Sequence, residues 1–105
     1  MLGILKNLFA PKDNSQLKEA LKNRPFLVDV RTTQEFSGGS LKGAVNIPLD
    51  SIQNELSKFK NKNHIVVFCQ SGMRSSQAKR ILAKNGFKNV FDGGSIWNVN
   101  QLINQ

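Results

Sequence analysis

Short apolar runs along this chain alternate with segments whose apolar residues recur at helical spacing. Two nearly continuous apolar runs, at residues 26–30 and 64–69, predict strands that are covered on both faces of a parallel sheet. Shorter runs at residues 44–47 and 90–91 predict two further strands, and the glycine pair at 93–94 predicts a turn after the last of them. Strands that alternate with helices at this spacing indicate an α/β domain.

Helical segments separate the predicted strands. Leu17, Ala20 and Leu21 fall on one face of a first helix, which Pro25 ends. Gly86 is placed to terminate the predicted helix that begins at Ser75. The spacing predicts four helices after the first: one capped by Thr32 or Thr33 and running through Phe36, one capped by Asp50 or Ser51 with Ile52, Leu56 and Phe59 on a shared face, one from Ser75 to about Asn85, and one from Ile96 to Ile103.

The charge of the chain limits its partners. The 15 Lys and Arg residues against seven Asp and Glu give a formal net charge of +8, which raises the local concentration of small anions and of acidic partners. The lysines are scattered and the aromatic residues fall at apolar core positions, so the interleaved basic and aromatic pattern of a nucleic-acid-binding face is missing. We expect no nucleic-acid partner.

The distribution of apolar residues and the cysteine count predict a location. No apolar stretch approaches the roughly 20 residues that a membrane-spanning helix needs, so we expect no integral membrane association. A single cysteine cannot form an intramolecular disulfide. We therefore expect a cytoplasmic monomer, in which residues 1–12 form an N-terminal extension and residues 13–105 form one domain.

Cys69 is the strongest candidate for chemistry, because it ends the most apolar predicted strand directly before a loop and a helix. In α/β sheets, backbone N–H groups and a helix N-terminus face one point at this end of a strand and favour an anion. A cysteine held there has a lowered pKa and is a ready nucleophile at neutral pH. The residues that would form such an anion-binding nest are Gln70, Ser71, Gly72, Met73, Arg74 and Ser75.

The candidate loop supplies a cation but no histidine. Arg74 offers a fork of donors suited to a sulfonate or phosphate oxygen. His64, the only histidine, lies five residues before Cys69 on the same predicted strand, about 16 Å away at about 3.3 Å per residue. The sequence therefore predicts a thiolate without a Cys–His dyad, and we expect neither a metal nor a cofactor.

Four separated motifs carry a family resemblance that extends from about residue 15 to residue 97. They are Val28-Asp29-Val30-Arg31 followed by Glu35-Phe36, then Gly43-Ala44-Val45-Asn46-Ile47-Pro48, Phe68-Cys69-Gln70-Ser71-Gly72-Met73-Arg74-Ser75, and Gly93-Gly94-Ser95-Ile96-Trp97. Together they resemble the motifs of single-domain rhodaneses, which are sulfurtransferases. This resemblance implies a rhodanese-like three-layer fold, with a central parallel sheet of about five strands and helices on both faces.

The resemblance also implies a reaction in two steps. Cys69 takes the outer sulfur of a small anionic donor such as thiosulfate, and the persulfide then passes it to a thiophilic acceptor, either a cellular thiol or a partner protein. Backbone amides of residues 70–75 would stabilise the anionic sulfur. Arg74 would bind the sulfonate of the donor, while Asp29 and Arg31 would hold neighbouring loops through a partly buried ion pair.

The chain departs from the family pattern at two places. Ser40, Leu41 and Lys42 stand where members often have a histidine followed by isoleucine and proline, which removes an imidazole from this position. Gln70 stands where a basic residue is frequent, so donor binding would depend more on Arg74 and on the general positive field.

Two alternatives stay open. Phosphatases and arsenate reductases of related folds also place a cysteine and an arginine around an anion-binding loop, but those phosphatases use a longer loop than the six residues from Cys69 to Arg74. A non-enzymatic rhodanese-like module that binds a partner or senses oxidants is the second alternative. An exposed thiolate of low pKa is oxidised reversibly to a sulfenic acid, although this chain has no resolving cysteine.

Overall fold

A computed structural model describes residues 14–105 of the chain. Its elements follow in the order α1 (Ser15–Lys22), β1 (Phe26–Asp29), α2 (Thr33–Ser37), β2 (Val45–Asn46), two 3₁₀ helices (Leu49–Asn54 and Leu56–Phe59), β3 (Ile65–Cys69), α3 (Met73–Lys84), β4 (Val90–Ser95) and α4 (Ile96–Ile103). The expected N-terminal extension, residues 1–12, lies outside the described residues. The alternation of strands and helices confirms the α/β class.

The strands form one parallel sheet. Within residues 14–105 it has four strands in the order β2–β1–β3–β4, close to the expected number of about five. Asp29 of β1 pairs with Phe68 of β3, and Cys69 of β3 pairs with Ser95 of β4. The carboxyl ends of these three strands therefore meet at one edge, which is where ligands bind in open α/β sheets.

Helices cover both faces of the sheet, which confirms the three-layer arrangement. One apolar cluster joins the sheet to α3 and the 3₁₀ helices, and its buried residues are Val28, Val30, Ile47, Ile52, Phe59, Ile65, Val67, Cys69, Ala78, Leu82 and Val90. The other joins the sheet to α1 and α4 through Leu17, Ala20, Leu27, Val66, Phe68, Val99 and Leu102. Each fully buried aliphatic side chain of this kind contributes about 1.5–3 kcal/mol. No helix within the described range has the length and apolar character needed to cross a membrane.

The segment after Pro48 differs from its prediction. Two 3₁₀ helices replace the single predicted helix, and neither Asp50 nor Ser51 caps the first one, whose N-cap residue is Pro48. Glu55 separates them with φ −123° and ψ 20°, which interrupts the helical backbone. The predicted apolar positions Ile52 and Phe59 are nevertheless buried. The prediction of one continuous helix was therefore wrong, while Ile52 and Phe59 face inward as expected.

The glycine pair at 93–94 also differs from its prediction, because it lies inside β4 instead of forming a turn after a strand. A Cβ atom on Gly93 would lie 2.6 Å from Cγ2 of Val99, so only glycine lets α4 pack this closely. Gly94 has φ +77° and sits where the register between β3 and β4 shifts, beside Phe68. Gly93 therefore permits the close packing of α4, and Gly94 forms part of a β-bulge.

Candidate active site

The loop after β3 leads directly into a helix. Gly72 is the N-cap residue of α3 with φ 105°, a conformation that other residues adopt only with strain. The helix therefore begins at Met73, two residues earlier than the predicted start at Ser75. This early start brings the first backbone N–H groups of α3 back toward the end of β3.

Cys69 lies at the floor of this loop. Its Sγ accepts a hydrogen bond from the backbone N–H of Gly72 at 3.0 Å and another from that of Ser75 at 3.4 Å. The hydroxyl of Ser75 donates to the carbonyl oxygen of Gly72 at 3.0 Å, which closes the loop across the sulfur. Cys69 and Ser75 are both fully buried, with 0% of their surface exposed.

The loop makes the thiol acidic in spite of this burial. Burial alone raises the pKa of the Cys69 thiol, because it disfavours the charged form. The backbone N–H groups of Ser75, Gly72 and Ser71, together with the nearby hydroxyl of Ser75, lower the pKa by more. The net pKa lies below the ordinary value of a cysteine, so the geometry favours a thiolate.

Asp29 and Arg31 lie beside the loop in a buried ion pair. The Nη2 atom of Arg31 is 2.8 Å from Oδ2 of Asp29, and Nε donates to both carboxylate oxygens at 3.0 Å. The same guanidinium donates to Oε1 of Gln70 at 3.1 Å and to the carbonyl oxygen of Gly39 at 2.7 Å. Ser40 donates its hydroxyl to Oδ2 of Asp29 at 2.7 Å. One ion pair thus contacts both the cysteine loop and the loop after α2.

Arg74 is also paired with a carboxylate. Its Nη1 and Nη2 donate to Oε1 and Oε2 of Glu35 at 2.6 and 3.1 Å, a bidentate geometry. Both side chains are 33% exposed. The guanidinium that was expected to bind a donor sulfonate is therefore already held by a side chain of α2.

Two large apolar side chains are exposed near this edge of the sheet. Met73, the first residue of α3, is 74% exposed, and Trp97, in the first turn of α4, is 68% exposed. The starts of these helices are close, because a Cβ on Gly72 would lie 3.8 Å from Cα of Gly94. The starts of α3 and α4 therefore each present an exposed apolar side chain at the carboxyl edge of the sheet.

Residues 13–95 match the family model of the rhodanese-like domain. The chain belongs to the rhodanese-like domain family. A chloroplastic protein of Arabidopsis thaliana, thiosulfate sulfurtransferase 16, is 37% identical over 90 residues, which cover 71% of this chain and 75% of that protein. The uncharacterized protein YqhL of Bacillus subtilis is 35% identical over 66 residues, covering 63% of this chain and 52% of YqhL, so the chain spans about half the length of that relative.

A solved structure of a rhodanese-related protein from Thermoplasma volcanium has the same fold. It superposes with a TM-score of 0.69 at 26% sequence identity, and the match covers 89% of this chain and 93% of that one. The predicted rhodanese-like fold is therefore confirmed over nearly the whole described chain.

Glu35 and Ser40 make contacts that the sequence did not indicate. Glu35 belongs to the first motif, but its pairing with Arg74 joins positions 39 residues apart in the chain. Ser40 stands where relatives often have a histidine, and it hydrogen bonds to Asp29. The motif could have drawn attention to Glu35, since an acidic residue at a helix N3 position also forms a capping box with Thr32.

Neither a histidine nor a group of metal ligands lies beside Cys69 within residues 14–105. His64 precedes β3, so the whole strand separates it from Cys69. Residues 14–105 contain no group of three or more His, Cys, Asp or Glu side chains that could hold a metal ion. Cys69 is fully buried, which limits the access of an oxidant and of a sulfur donor alike, so burial does not separate the oxidant-sensing alternative from sulfur transfer.

Proposed function

We propose that this protein is a sulfurtransferase that carries sulfane sulfur as a persulfide on Cys69. The observation that carries the proposal is the pair of backbone N–H groups, from Gly72 and Ser75, that converge on Sγ of Cys69 at the start of α3. Such donors stabilise a sulfur anion without a separate base. The name of the Arabidopsis relative, thiosulfate sulfurtransferase 16, supports the same class of reaction.

In the first step, the Cys69 thiolate attacks the outer sulfur of a donor such as thiosulfate. A new S–S bond forms to Sγ, the bond between the outer sulfur and the sulfonate sulfur breaks, and sulfite leaves with the electron pair. The attacking form is the thiolate, so this step itself requires no proton transfer. The loop lowers the pKa of Cys69 below its ordinary value and so increases the fraction of this reactive form.

In the second step, an acceptor thiolate attacks the outer sulfur of the persulfide. The acceptor gains the sulfur as its own persulfide, and Cys69 leaves as a thiolate. The backbone N–H groups of Gly72 and Ser75 stabilise this leaving thiolate. The exposed side chains of Met73 and Trp97 offer an apolar contact to the carrier of that thiol, whether it is a small molecule or a protein.

The other residues of the site have supporting roles in this proposal. Asp29 and Arg31 hold Gln70 in place, because Arg31 is itself fixed by the buried carboxylate. The backbone amides of residues 70–75 stabilise the outer sulfur of the persulfide. Arg74 lies at the end of the same loop, where its charge is paired with that of Glu35.

Intact-protein mass measurement tests the proposal. Incubation with thiosulfate, or with another persulfide donor, should add the mass of one sulfur atom, and a subsequent thiol acceptor should remove it. Cys69→Ser should take up no sulfur. Protein unfolded in urea is the matched control, because it keeps the thiol but loses the loop amides. If native protein gains no sulfur from any of these donors, or no more than the unfolded protein, the proposal is wrong.

A further inference from the structure

Glu35 and Arg74 form a bidentate ion pair at the end of the loop that begins at Cys69. The two guanidinium nitrogens lie 2.6 and 3.1 Å from the two carboxylate oxygens, so the charge of Arg74 is matched by a full negative charge in direct contact. Because bidentate pairs are directional as well as strong, this contact also fixes the orientation of the guanidinium.

The carboxylate of Glu35 is fixed from its other side. Its Oε1 atom accepts hydrogen bonds from the backbone N–H and the hydroxyl of Thr32, at 3.0 and 3.1 Å, in a capping box at the start of α2. The hydrogen bonds from Arg74, followed by those from Thr32, lower the pKa of Glu35 to about 2. The negative charge is thus present throughout the neutral range and does not depend on a mobile side chain.

The second arginine at this edge is compensated in the same way. Arg31 is paired with the buried carboxylate of Asp29 and donates its remaining bonds to Gln70 and Gly39. Two arginines beside the cysteine loop are therefore each matched by a carboxylate. Neither arginine therefore offers an uncompensated positive charge beside the cysteine loop, in spite of the net charge of +8 of the whole chain.

We propose that Glu35 determines donor selectivity, by neutralising Arg74 and so disfavouring a doubly charged inorganic donor relative to a persulfide on a carbon-bound thiol. This inference rests on the sulfurtransferase function proposed above and names its donor class. With such a donor, Cys69 attacks the outer sulfur, the S–S bond of the donor breaks, and the carrier leaves as its thiolate. The exposed apolar side chain of Met73 is available to contact the hydrocarbon part of that carrier.

The test compares two donors on wild-type protein and on Glu35→Gln. The measured quantity is the second-order rate constant for forming the Cys69 persulfide, followed by mass in single-turnover experiments. The donors are thiosulfate and the persulfide of 2-mercaptoethanol, whose carrier has no charge. We expect Glu35→Gln to raise the thiosulfate rate constant roughly tenfold relative to that of the persulfide, since one unpaired positive charge then acts on one additional negative charge of the donor. High salt should shrink this gain.

Glu35→Gln is a mild change for the fold. Glutamine is accepted at the N3 position of a capping box, so the bonds to Thr32 have a substitute acceptor. Glu55→Gln is the matched control, because it removes a surface carboxylate that pairs with Lys58 at 2.6 Å. A second control places Glu35→Gln in an Arg74→Ala background, where no guanidinium is left to release and the donor ratio should not change.

The outcomes separate the two proposals. A donor ratio that is the same in wild type and Glu35→Gln overturns the selectivity role while leaving the sulfurtransferase function intact. The selectivity role is also overturned if Glu55→Gln changes the donor ratio by the same amount, or if Glu35→Gln changes it fully in the Arg74→Ala background. In either case the change does not depend on the pair of Glu35 and Arg74. Wild-type protein that forms no persulfide from either donor overturns the sulfurtransferase function and this inference together.

Discussion

Arg31 reaches back to Asp29, two residues earlier, and contacts both oxygens of a carboxylate that has no solvent exposure. The side chain of Arg31 is itself only 7% exposed. Since an isolated charge in such a place is costly, each partner makes the burial of the other tolerable. The pair also carries bonds to Gln70 and Gly39, so its integrity affects both loops at the carboxyl edge of the sheet.

Asp29→Asn should therefore be strongly destabilising. The substitution leaves the guanidinium of Arg31 buried without its counter-charge, and breaking a buried pair in this way costs about 3–5 kcal/mol. Urea unfolding of wild type and variant measures the loss. Asp50→Asn is the control, because Asp50 is exposed and its change should stay within about 0.5 kcal/mol. Equal stability of wild type and Asp29→Asn would show that the pair contributes nothing.

The ionisation of Cys69 should depend on the hydroxyl of Ser75. That hydroxyl is one of the groups that lower the pKa of Cys69, so Ser75→Ala should raise the pKa and move the thiolate transition to higher pH. The ultraviolet absorbance of the thiolate against pH measures the midpoint directly, even though the sulfur is buried. In wild type the midpoint should lie below that of the same cysteine in the urea-unfolded protein, because the folded loop lowers the pKa.

Ser76→Ala is the control for this measurement. Ser76 neighbours Ser75 in the same helix turn, but its side chain is not among the causes of the lowered pKa of Cys69. Its substitution should leave the midpoint unchanged. A midpoint that moves equally in both variants would mean that the helix start, and not the hydroxyl of Ser75, controls the ionisation.

The sequence predicted the position of the cysteine loop but not all of its surroundings. The continuous apolar run before Cys69 and the glycine at position 72 are local signals, so a strand, a tight loop and a helix followed from spacing alone. The pairing of Glu35 with Arg74 depends on how the start of α3 lies against α2 in the folded chain. No local pattern encodes such an approach, which is why the predicted role of Arg74 as a free anion ligand did not include its carboxylate partner.

The predicted turn at the glycine pair failed for a similar reason. Local preference associates adjacent glycines with turns. The requirement at Gly93 instead comes from Val99 of α4, whose Cγ2 would be 2.6 Å from an added Cβ. That contact exists only after α4 has folded back over the sheet, so the tertiary packing overrides the local signal.

Gly93→Ala should therefore destabilise the fold by overpacking. The added methyl group would also lie 3.0 Å from the carbonyl oxygen of Val67, so the strand as well as the helix has to move, at a cost of about 1–3 kcal/mol. Thermal or urea unfolding measures it. Gly38→Ala is a matched control, since Gly38 has helical backbone angles and its nearest neighbour would be 3.4 Å from the new Cβ. Equal stability of the two variants would contradict the packing argument.

The pair of Glu35 and Arg74 should make stability depend on acid pH. The pKa of Glu35 is lowered from its ordinary 4.5 to about 2 in the folded protein, so the folded state favours the ionised carboxylate. The stabilisation is therefore complete above pH 4.5 and is lost as the pH falls toward 2. Urea unfolding across this range, in wild type and Glu35→Gln, isolates the contribution from those of other carboxylates, because only the difference between the two proteins reports on Glu35.

That difference should be largest near neutral pH and should shrink as the solution becomes acidic. Arg74→Ala provides a second comparison. Without the guanidinium, the largest cause of the lowered pKa is gone, so the pKa of Glu35 moves back toward its ordinary value and the acid-dependent difference becomes smaller. A difference between wild type and Glu35→Gln that stays constant from neutral to acidic pH would mean that the ionised carboxylate adds nothing to stability. The contact with Arg74 would then act only on the charge that a donor meets beside the cysteine loop.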